Sequence, residues 1–412
     1  MTRATVVIGA GWGDEGKGLM TDYLSKPGGV VVRFNGGAQA GHTVVTPHGD
    51  RHVFSHFGSG SLASASTHLS RFFLVNPLVW QEERARLRAI DGNTDLSIDY
   101  RAPVTTHYDM LLNQFLESSR GGSRHGSCGA GIHETMLRHE HFPITYGDLI
   151  KGEPREKLGA ILINWLPRRF KEEGVWPRGD WEDRFFNAAL ERAFISACRD
   201  MALNSNGLSD QHVDSTASFV FEGAQGLLLD QNHEFFPHVT HSSTGLTNVL
   251  KIAQENAIRE LDVVYVTRAY ATRHGAGPMP GETPDLSYPD PTNQPNPWQG
   301  TLRFGALNLD LLRAAIWKDI AQADDYPSIK VNAALAVTCM DQMKGDALML
   351  KGEALVWLGG AIHRITTGQL LDWLEQHLGL PVRYVSEGPT RNDVTELATH
   401  AAHARSVCST LP

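Results

Sequence analysis

The apolar residues of this chain form short β-branched runs that end in glycine-rich loops. The first run, TVVIGA (Thr5–Ala10), and the second, GVVVRF, lack polar alternation, which is typical of strands buried on both faces. Similar runs recur as SFVFEGAQG, LDVVYVTRAY and IKVNAALAVTCMD, separated by stretches with helical spacing. The pattern predicts an α/β fold with a large, mostly parallel central sheet flanked by helices.

Other segments predict insertions around that sheet. VVTPHGDRHVFSHFG predicts a hairpin that turns at Gly49 and Asp50, and WQEERARLRAI predicts an amphipathic helix. Residues 150–215 are charged and helical in pattern, so we expect a helical layer or insertion within a single domain that spans residues 1–412. Residues 118–135 and 284–305 are rich in Gly and Ser or in Pro and Asn, which predicts functional loops or connectors.

Composition narrows the function classes. The net charge of −9 argues against a nucleic acid or an anionic membrane as the main partner. The four cysteines have no C-x-x-C spacing, which indicates a reducing compartment rather than a disulfide framework or zinc site. No signal peptide precedes the first apolar run, and no apolar stretch approaches the roughly 18 residues of a membrane helix. We therefore expect a cytoplasmic protein.

The loop after the first strand, GAGWGDEGKG, is similar to a phosphate-binding loop, which makes the expected fold P-loop-NTPase-like. Gly11 to Lys17 matches G-x-x-x-x-G-K, but Gly18 stands where a Ser or Thr would bind magnesium. A strand, a glycine-rich turn and a helix would place N–H groups around an anion. Asp14 lies inside this loop, so we expect it to bind Mg²⁺, to act as a general base, or both. For Glu15, a structural or solvated side chain is the alternative to a catalytic one.

The loop after the second strand, NGGAQAGHT, repeats the glycine pattern and contains His42 directly after Gly41. Two such loops at neighbouring strand ends would face one crevice, where open α/β sheets bind ligands. His42 is a candidate proton donor to a phosphate oxygen, with a surface or packing role as the alternative.

Six blocks in order resemble one family, adenylosuccinate synthetase. They are GWGDEGKG, RFNGGAQAGHT, FEGAQGLLLD, FPHVTHSS, TRHGAGPMP and SEGPTRND, and the resemblance covers nearly the whole chain. It implies a homodimer on a single large α/β fold that couples IMP to L-aspartate, with GTP and Mg²⁺, and gives adenylosuccinate, GDP and phosphate.

The resemblance implies a role for each residue of the two loops. Asp14 would remove the N1 proton of the purine and bind Mg²⁺, and His42 would stabilise the γ-phosphoryl group as it moves to O6. Lys17 and the loop amides would hold the phosphates, and the carbonyl of Gly41 would complete the metal site. The α-amine of aspartate would then displace phosphate from the 6-phosphoryl intermediate.

The resemblance also implies binding residues. Asp341 would accept hydrogen bonds from N1 and the 2-amino group of guanine, and Thr301 and Arg303 would hold the amino-acid substrate. The other implied nucleotide-binding positions are Gly13, Glu15, Gly16, Gly18, Gln39, Ser127, Cys128, Arg138, Gln225, Thr240, Ser386 and Gly388.

Several positions depart from the family pattern. GSCGAGIHET replaces TTGRGIGPAY, so Cys128 stands where a phosphate-binding threonine is expected. Arg138 is the nearby candidate for the arginine that family members contribute to the site of the partner subunit. Where the family has a run of arginines, this chain keeps only Arg303. Cys339 replaces a lysine. The histidines of HETMLRHEH (positions 133, 139 and 141) indicate either a metal site or ordinary loop histidines.

These departures leave two alternatives to the reaction on IMP. The first is the same reaction on dGMP, as in phage 2-amino-2′-deoxyadenylosuccinate synthetases, with GTP or ATP as phosphate donor. Those relatives tend to carry a smaller residue at the position of Asp14, so its retention favours IMP. The second alternative is a non-catalytic nucleotide-binding regulator, which the joint retention of Asp14, Lys17 and His42 disfavours.

Overall fold

A ten-stranded sheet forms the centre of the fold in the computed structural model, which describes residues 3–121, 126–213, 218–290, 293, 300–343 and 352–398. All neighbouring strands are parallel except the antiparallel pair at one edge, so the mostly parallel sheet is confirmed. From that edge the order is β17 (Val394–Glu396), β16 (Val382–Ser386), β13 (Lys330–Thr338), β9 (Glu260–Arg268), β1 (Arg3–Gly9), β8 (Phe219–Gly226), β2 (Val30–Arg33), β5 (Ser66–Leu69), β6 (Leu96–Ile98) and β7 (Asn206–Gly207).

Helices and small sheets surround these strands. The helices are α1 (Lys17–Leu24), α2 (Pro77–Arg88), α3 (His107–Ser119), α4 (Ile132–His139), α5 (Tyr146–Lys151), α6 (Arg155–Ala160), α7 (Leu166–Glu173), α8 (Asp180–Phe185), α9 (Ala188–Asn204), α10 (Leu246–Glu255), α11 (Leu309–Ile320) and α12 (Leu370–Leu378). The remaining strands are β3 (His42–Val45), β4 (Arg51–Phe54), β10 (Ala271–Arg273), β11 (Arg303–Gly305), β12 (Leu307–Asn308), β14 (Glu353–Leu358) and β15 (Ala361–Thr366).

Both faces of the central strands are buried, as their unbroken apolar runs predict. Val6 and Ile8 of β1 belong to one apolar cluster, whereas Val7 belongs to another. Successive side chains of a strand point to opposite faces, so the two clusters cover the two sides of the sheet.

The predicted local elements are present. β3 and β4 form an antiparallel hairpin in which Gly49 has φ +96°. In α2, the predicted amphipathic helix, the Asn76 side chain accepts hydrogen bonds from the N–H groups of Leu78 and Val79, which accounts for where the helix begins.

The described part of the predicted helical stretch, residues 150–213, contains α6 to α9, followed by the short strand β7. Their apolar side chains share a buried cluster with α2 and α3, through residues such as Trp80, Leu112 and Phe194. The single domain over the whole chain stays a prediction. Within the described ranges, the structure contains no helix with the length and apolar character needed to span a membrane.

The strand order determines where the loops meet. β8 lies between β1 and β2, and β9 and β13 follow on the other side of β1. In parallel strands all carboxyl ends lie at the same edge, so the loops that follow these five strands converge there. This edge carries the candidate site.

Candidate functional site

The phosphate-loop segment connects β1 to α1 through left-handed backbone conformations. Gly13 and Gly16 have φ of +91° and +92°, and Asp14 has φ +61°. A Cβ atom at Gly16 would lie 3.1 Å from the methyl group of Thr338, so the close approach of β13 also requires glycine there. The Asp14 carbonyl accepts a hydrogen bond of 2.5 Å from Nε of Arg268, which stabilises this uncommon conformation.

The Glu15 carboxylate fills the interior of the loop. It accepts hydrogen bonds from the N–H groups of Gly11 (3.0 Å) and Gly13 (2.8 Å) and from Nζ of Lys17 (2.7 Å). Both Glu15 and Lys17 are buried, so each charge compensates the other. Both carboxylate oxygens are engaged inside the loop, which favours the structural role of the Glu15 side chain, and nucleotide binding at this position stays a prediction.

His42 is paired with a buried carboxylate. Its Nδ1 lies 2.6 Å from Oε1 of Glu222 on β8, and Glu222 also accepts hydrogen bonds from the N–H and hydroxyl groups of Ser59. Burial lowers the pKa of His42, and Glu222 opposes that shift. Burial would raise the pKa of Glu222, but the charges of His42 and Arg33 outweigh it and lower the pKa. Glu222 therefore orients His42 and leaves Nε2 as its reactive nitrogen.

The substitution of Gly18 for a hydroxyl residue has a packing cause. A Cβ atom at Gly18 would lie 3.0 Å from Cβ of His42 and 3.0 Å from the carbonyl oxygen of Thr43. Glycine thus lets α1 approach β3 closely enough to place His42 beside the loop.

Sequence reasoning missed Glu222. Its signal was present, since it is the one charged residue in the apolar run SFVFEGAQG. A buried strand does not carry an unpaired carboxylate without a large free-energy cost, so a partner was required.

A cavity of about 670 Å³ adjoins the loops. Five predicted nucleotide-binding residues line it together: Gln39, Ser127, Cys128, Gln225 and Thr240. The amide nitrogen and oxygen of Gln39 are buried and have no hydrogen-bond partner in the described part of the chain. Burial raises the pKa of the Cys128 thiol, which argues against a thiolate nucleophile. The unpaired amide indicates a polar ligand in the cavity.

Arg138 does not line the cavity, which corrects the prediction that it binds a nucleotide. It is fully buried in α4, and its guanidinium donates to both oxygens of Asp109 and to the carbonyl oxygens of Val104 and Phe142. The prediction that Arg138 binds a nucleotide or reaches a partner subunit is wrong, because its charge is neutralised within its own core.

Arg303 lies opposite a second arginine that the sequence reading did not single out. β11 pairs antiparallel with β10, and this register sets Arg303 against Arg273. Arg303 donates to Glu282 and to the carbonyl oxygen of Gly277. Burial, and then the charge of Arg303, lower the pKa of Arg273 to about 10, and Arg273 lines the cavity. Two adjacent guanidinium groups favour an anionic ligand. Thr301 is exposed just before β11.

The predicted guanine-side residues also come together. Asp341 is exposed directly beyond β13, and the N–H of its neighbour Met340 donates to the carbonyl oxygen of Ser386 (3.1 Å). The Ser386 hydroxyl donates to the carbonyl oxygen of Gly388 (2.7 Å). The hydroxyl of Thr338, at the end of the same strand, donates to the Glu15 carbonyl, which places this region beside the phosphate loop. That Asp341 reads guanine stays a prediction.

The histidine cluster of HETMLRHEH does not assemble a metal site. Within the described ranges, no three His, Cys, Asp or Glu side chains are grouped to hold a metal ion. His133 instead contacts His241, and His141 packs against Trp165.

Comparison with known proteins supports the family that the sequence blocks resemble. The family model for adenylosuccinate synthetase matches residues 6–298, which is more than half of the chain. The chain belongs to the adenylosuccinate synthetase family. Arg303, Asp341 and Ser386 lie beyond the residues that the family model matches.

Individual relatives support the same family. The adenylosuccinate synthetase of Stenotrophomonas maltophilia is 33% identical over 361 residues, which cover 84% of this chain and 79% of that protein. The enzyme of Microcystis aeruginosa is 35% identical over 281 residues, which cover 67% of this chain but only 62% of that protein.

Two solved structures share the fold of this adenylosuccinate synthetase family member. Fully ligated adenylosuccinate synthetase from Plasmodium falciparum superposes with a TM-score of 0.71 at 18% identity, covering 96% of this chain and 100% of that chain. Succinoaminodeoxyadenylate synthetase (PurZ) of cyanophage S-2L, bound to dGMP and dATP, gives a TM-score of 0.59 at 15% identity, covering 96% and 95%.

Proposed function

We propose that this protein joins L-aspartate to C6 of IMP at the expense of GTP, and releases adenylosuccinate, GDP and phosphate. One observation supports the proposal: the loops that carry Asp14, Lys17 and His42, which is paired with Glu222, follow parallel strands at one sheet edge, and Gln39 and Gln225 at this edge line the nucleotide-sized cavity. A base, a phosphate loop and an oriented histidine are the groups that phosphorylation of a purine oxygen requires.

The first step activates the 6-oxo group. The Asp14 carboxylate removes the proton from N1, and O6 attacks the γ-phosphorus of GTP while the bond to the β-phosphate oxygen breaks. His42, held at Nδ1 by Glu222, presents Nε2 to the transferring phosphoryl group and stabilises its charge. The product is the 6-phosphoryl purine.

The second step makes the carbon–nitrogen bond. The α-amine of aspartate attacks C6, phosphate leaves with its oxygen, and the nitrogen loses a proton. Arg273 lines the cavity and Arg303 is its partner across the strand pair, so the two cations suit the substrate carboxylates.

The residues present fit Mg²⁺. The carboxylate of Asp14 and the carbonyl of Gly41 are oxygen donors, which this ion prefers, and Asp14 is only half-buried. When bound, Mg²⁺ would neutralise charge on the nucleotide phosphates.

The alternative substrate is dGMP, and the shared fold of the phage PurZ supports its consideration. IMP is favoured because a base must lie within about 3 Å of N1, where the 2-amino group of guanine adds bulk beside Asp14. The test supplies equal IMP and dGMP with aspartate and GTP or ATP, and compares kcat/KM by mass spectrometry of the products. A ratio in favour of dGMP refutes the choice of IMP. Nucleotide binding without phosphate release would favour the regulator.

We also propose, from the family resemblance, that the protein works as a homodimer in the cytoplasm. Sedimentation of the purified protein at several concentrations tests the assembly, and a monomer at all concentrations would contradict it.

A further inference from the structure

A pair of histidines in the cavity has no role in the steps above. Nδ1 of His133 lies 3.0 Å from Nδ1 of His241, and both side chains line the cavity. His133 is in the first turn of α4, and His241 follows the predicted nucleotide-binding residue Thr240. Among the described residues, neither ring makes another hydrogen bond.

This contact fixes what the pair offers to a ligand. Only one hydrogen atom fits between two Nδ1 atoms at this distance, so one ring donates and the other accepts. In the neutral pair the donor ring has a bare Nε2 and the acceptor ring has an Nε2–H group. One added proton converts both Nε2 atoms into donors and gives the pair one positive charge.

The surroundings keep the pair neutral until an anion arrives. The His133 side chain is exposed at the cavity surface, yet the protein around its ring removes enough water to lower its pKa to about 4, with further lowering by His241, Arg169 and Arg120 and opposition from Glu173. Burial also lowers the pKa of His241, and Glu140 opposes that shift.

The two arginines near this pair are already engaged. Arg120 is paired with Glu117 and Glu173, and Arg169 with Glu134, Glu172 and Glu173. These ion pairs leave little positive charge for a ligand at this end of the cavity. An anion bound here would therefore depend on the imidazoles, and its charge would raise their pKa.

We propose that the His133–His241 pair binds the phosphate group of the purine nucleoside monophosphate and takes up one proton as that phosphate binds. The first turn of α4 and the residues Ser127 and Thr240 line the same cavity, and helix N-termini and hydroxyl groups favour phosphate oxygens. The identity of the ligand rests on the proposed function.

The test measures binding rather than turnover, so it stands even if the proposed reaction fails. IMP and dGMP are titrated separately by calorimetry without GTP or aspartate, from pH 6.5 to 8.5, above the phosphate pKa of about 6. Two buffers of different ionisation enthalpy report the protons taken up. We expect the Kd of the nucleotide that binds to rise with pH, by up to about tenfold per unit, with uptake approaching one proton at low pH.

Matched variants assign the effect to the pair. His133→Asn and His241→Asn should weaken binding at pH 6.5 and remove both the pH dependence and the proton uptake. His48→Asn, in the exposed hairpin turn, should behave like the wild type. Inosine, which lacks the phosphate, should bind each variant and the wild type equally and without proton uptake. Circular dichroism and Tm verify that the variants fold.

Three results would overturn the proposal. The first is that the variants weaken the binding of the nucleotide and of inosine equally, which would indicate a structural role for the pair. The second is wild-type binding of IMP and dGMP without proton uptake. The third is loss of wild-type affinity in EDTA, which would indicate a metal ion at the pair.

Discussion

Replacing Glu222 by glutamine tests whether the carboxylate behind His42 serves the reaction. The substitution keeps the shape of the side chain but removes its charge from a contact of 2.6 Å in a buried site. Opposite charges about 4 Å apart attract by about 4 kcal/mol at an effective dielectric constant of about 20. If His42 gains positive character in the transition state, this attraction corresponds to about 10³ in rate, so kcat should fall by roughly 10²–10⁴.

The same substitution should also destabilise the fold. Glu222 lies 3.9 Å from Nε of Arg33, and both side chains are fully buried. Removing one partner of a buried ion pair costs about 3–5 kcal/mol, and glutamine, which keeps the packing, should fall near the lower end. Urea denaturation measures this loss, and kcat must be normalised to the folded fraction.

Glu83 supplies a matched control. It is another fully buried glutamate beside histidines, His52 and His56, and it accepts hydrogen bonds from the N–H groups of Ser55, His56 and Phe57, away from the cavity. Glu83→Gln should lower stability but leave kcat per folded molecule within a few-fold of the wild type. Equal kcat for the two variants would refute a role of Glu222 in turnover.

Other substitutions test separate parts of the molecule. Asp14→Asn should leave the unfolding midpoint intact but lower kcat by roughly 10²–10⁴, and near-normal turnover at saturating Mg²⁺ would contradict its role as base. Asp341→Asn should narrow the GTP-over-ATP preference in kcat/KM by about 1–3 kcal/mol, and a wild type that prefers ATP would already exclude guanine reading. Arg303→Leu should raise the KM of aspartate more than that of either nucleotide, whereas equal increases would indicate a structural role. Burial raises the pKa of Asp319 to about 7, so between about pH 4 and 7 the folded state binds more protons than the unfolded state. The free energy of unfolding should therefore fall as pH rises through this window, by up to about 1.4 kcal/mol per unit, and Asp319→Asn should flatten the profile measured by urea denaturation at pH 5 and 8.

Local chemistry in the sequence was enough to predict the sheet, the hairpin and both glycine loops. β-branched runs, turn residues and helical periodicity depend on neighbours within a few positions, so they can be read without knowing the fold. The placement of the Asp14 and His42 loops at one edge of the sheet also followed, because carboxyl ends of parallel strands share an edge.

The errors and omissions involve contacts distant in sequence or burial that spacing does not reveal. Glu222 meets His42 across 180 positions, and His241 meets His133 across 108. Arg138 looked available because it follows a glycine-rich loop, yet α4 turns it into the core against Asp109. Only the packing of α3 against α4 decides that direction.

The buried charges of the site support the proposal that a carboxylate of this phosphate loop acts as a base. Lys17 is already paired with Glu15, and His42, whose pKa is lowered by burial, is hydrogen-bonded to Glu222, so within the described ranges neither side chain forms an ion pair with Asp14. Arg268 engages the carbonyl of Asp14, which fixes the backbone without occupying the carboxylate. Asp14 is thus held in a left-handed conformation, half-exposed, with its carboxylate left for a proton and a metal ion. The internal acid Glu15, the residue next to Asp14, therefore holds Lys17 within the loop.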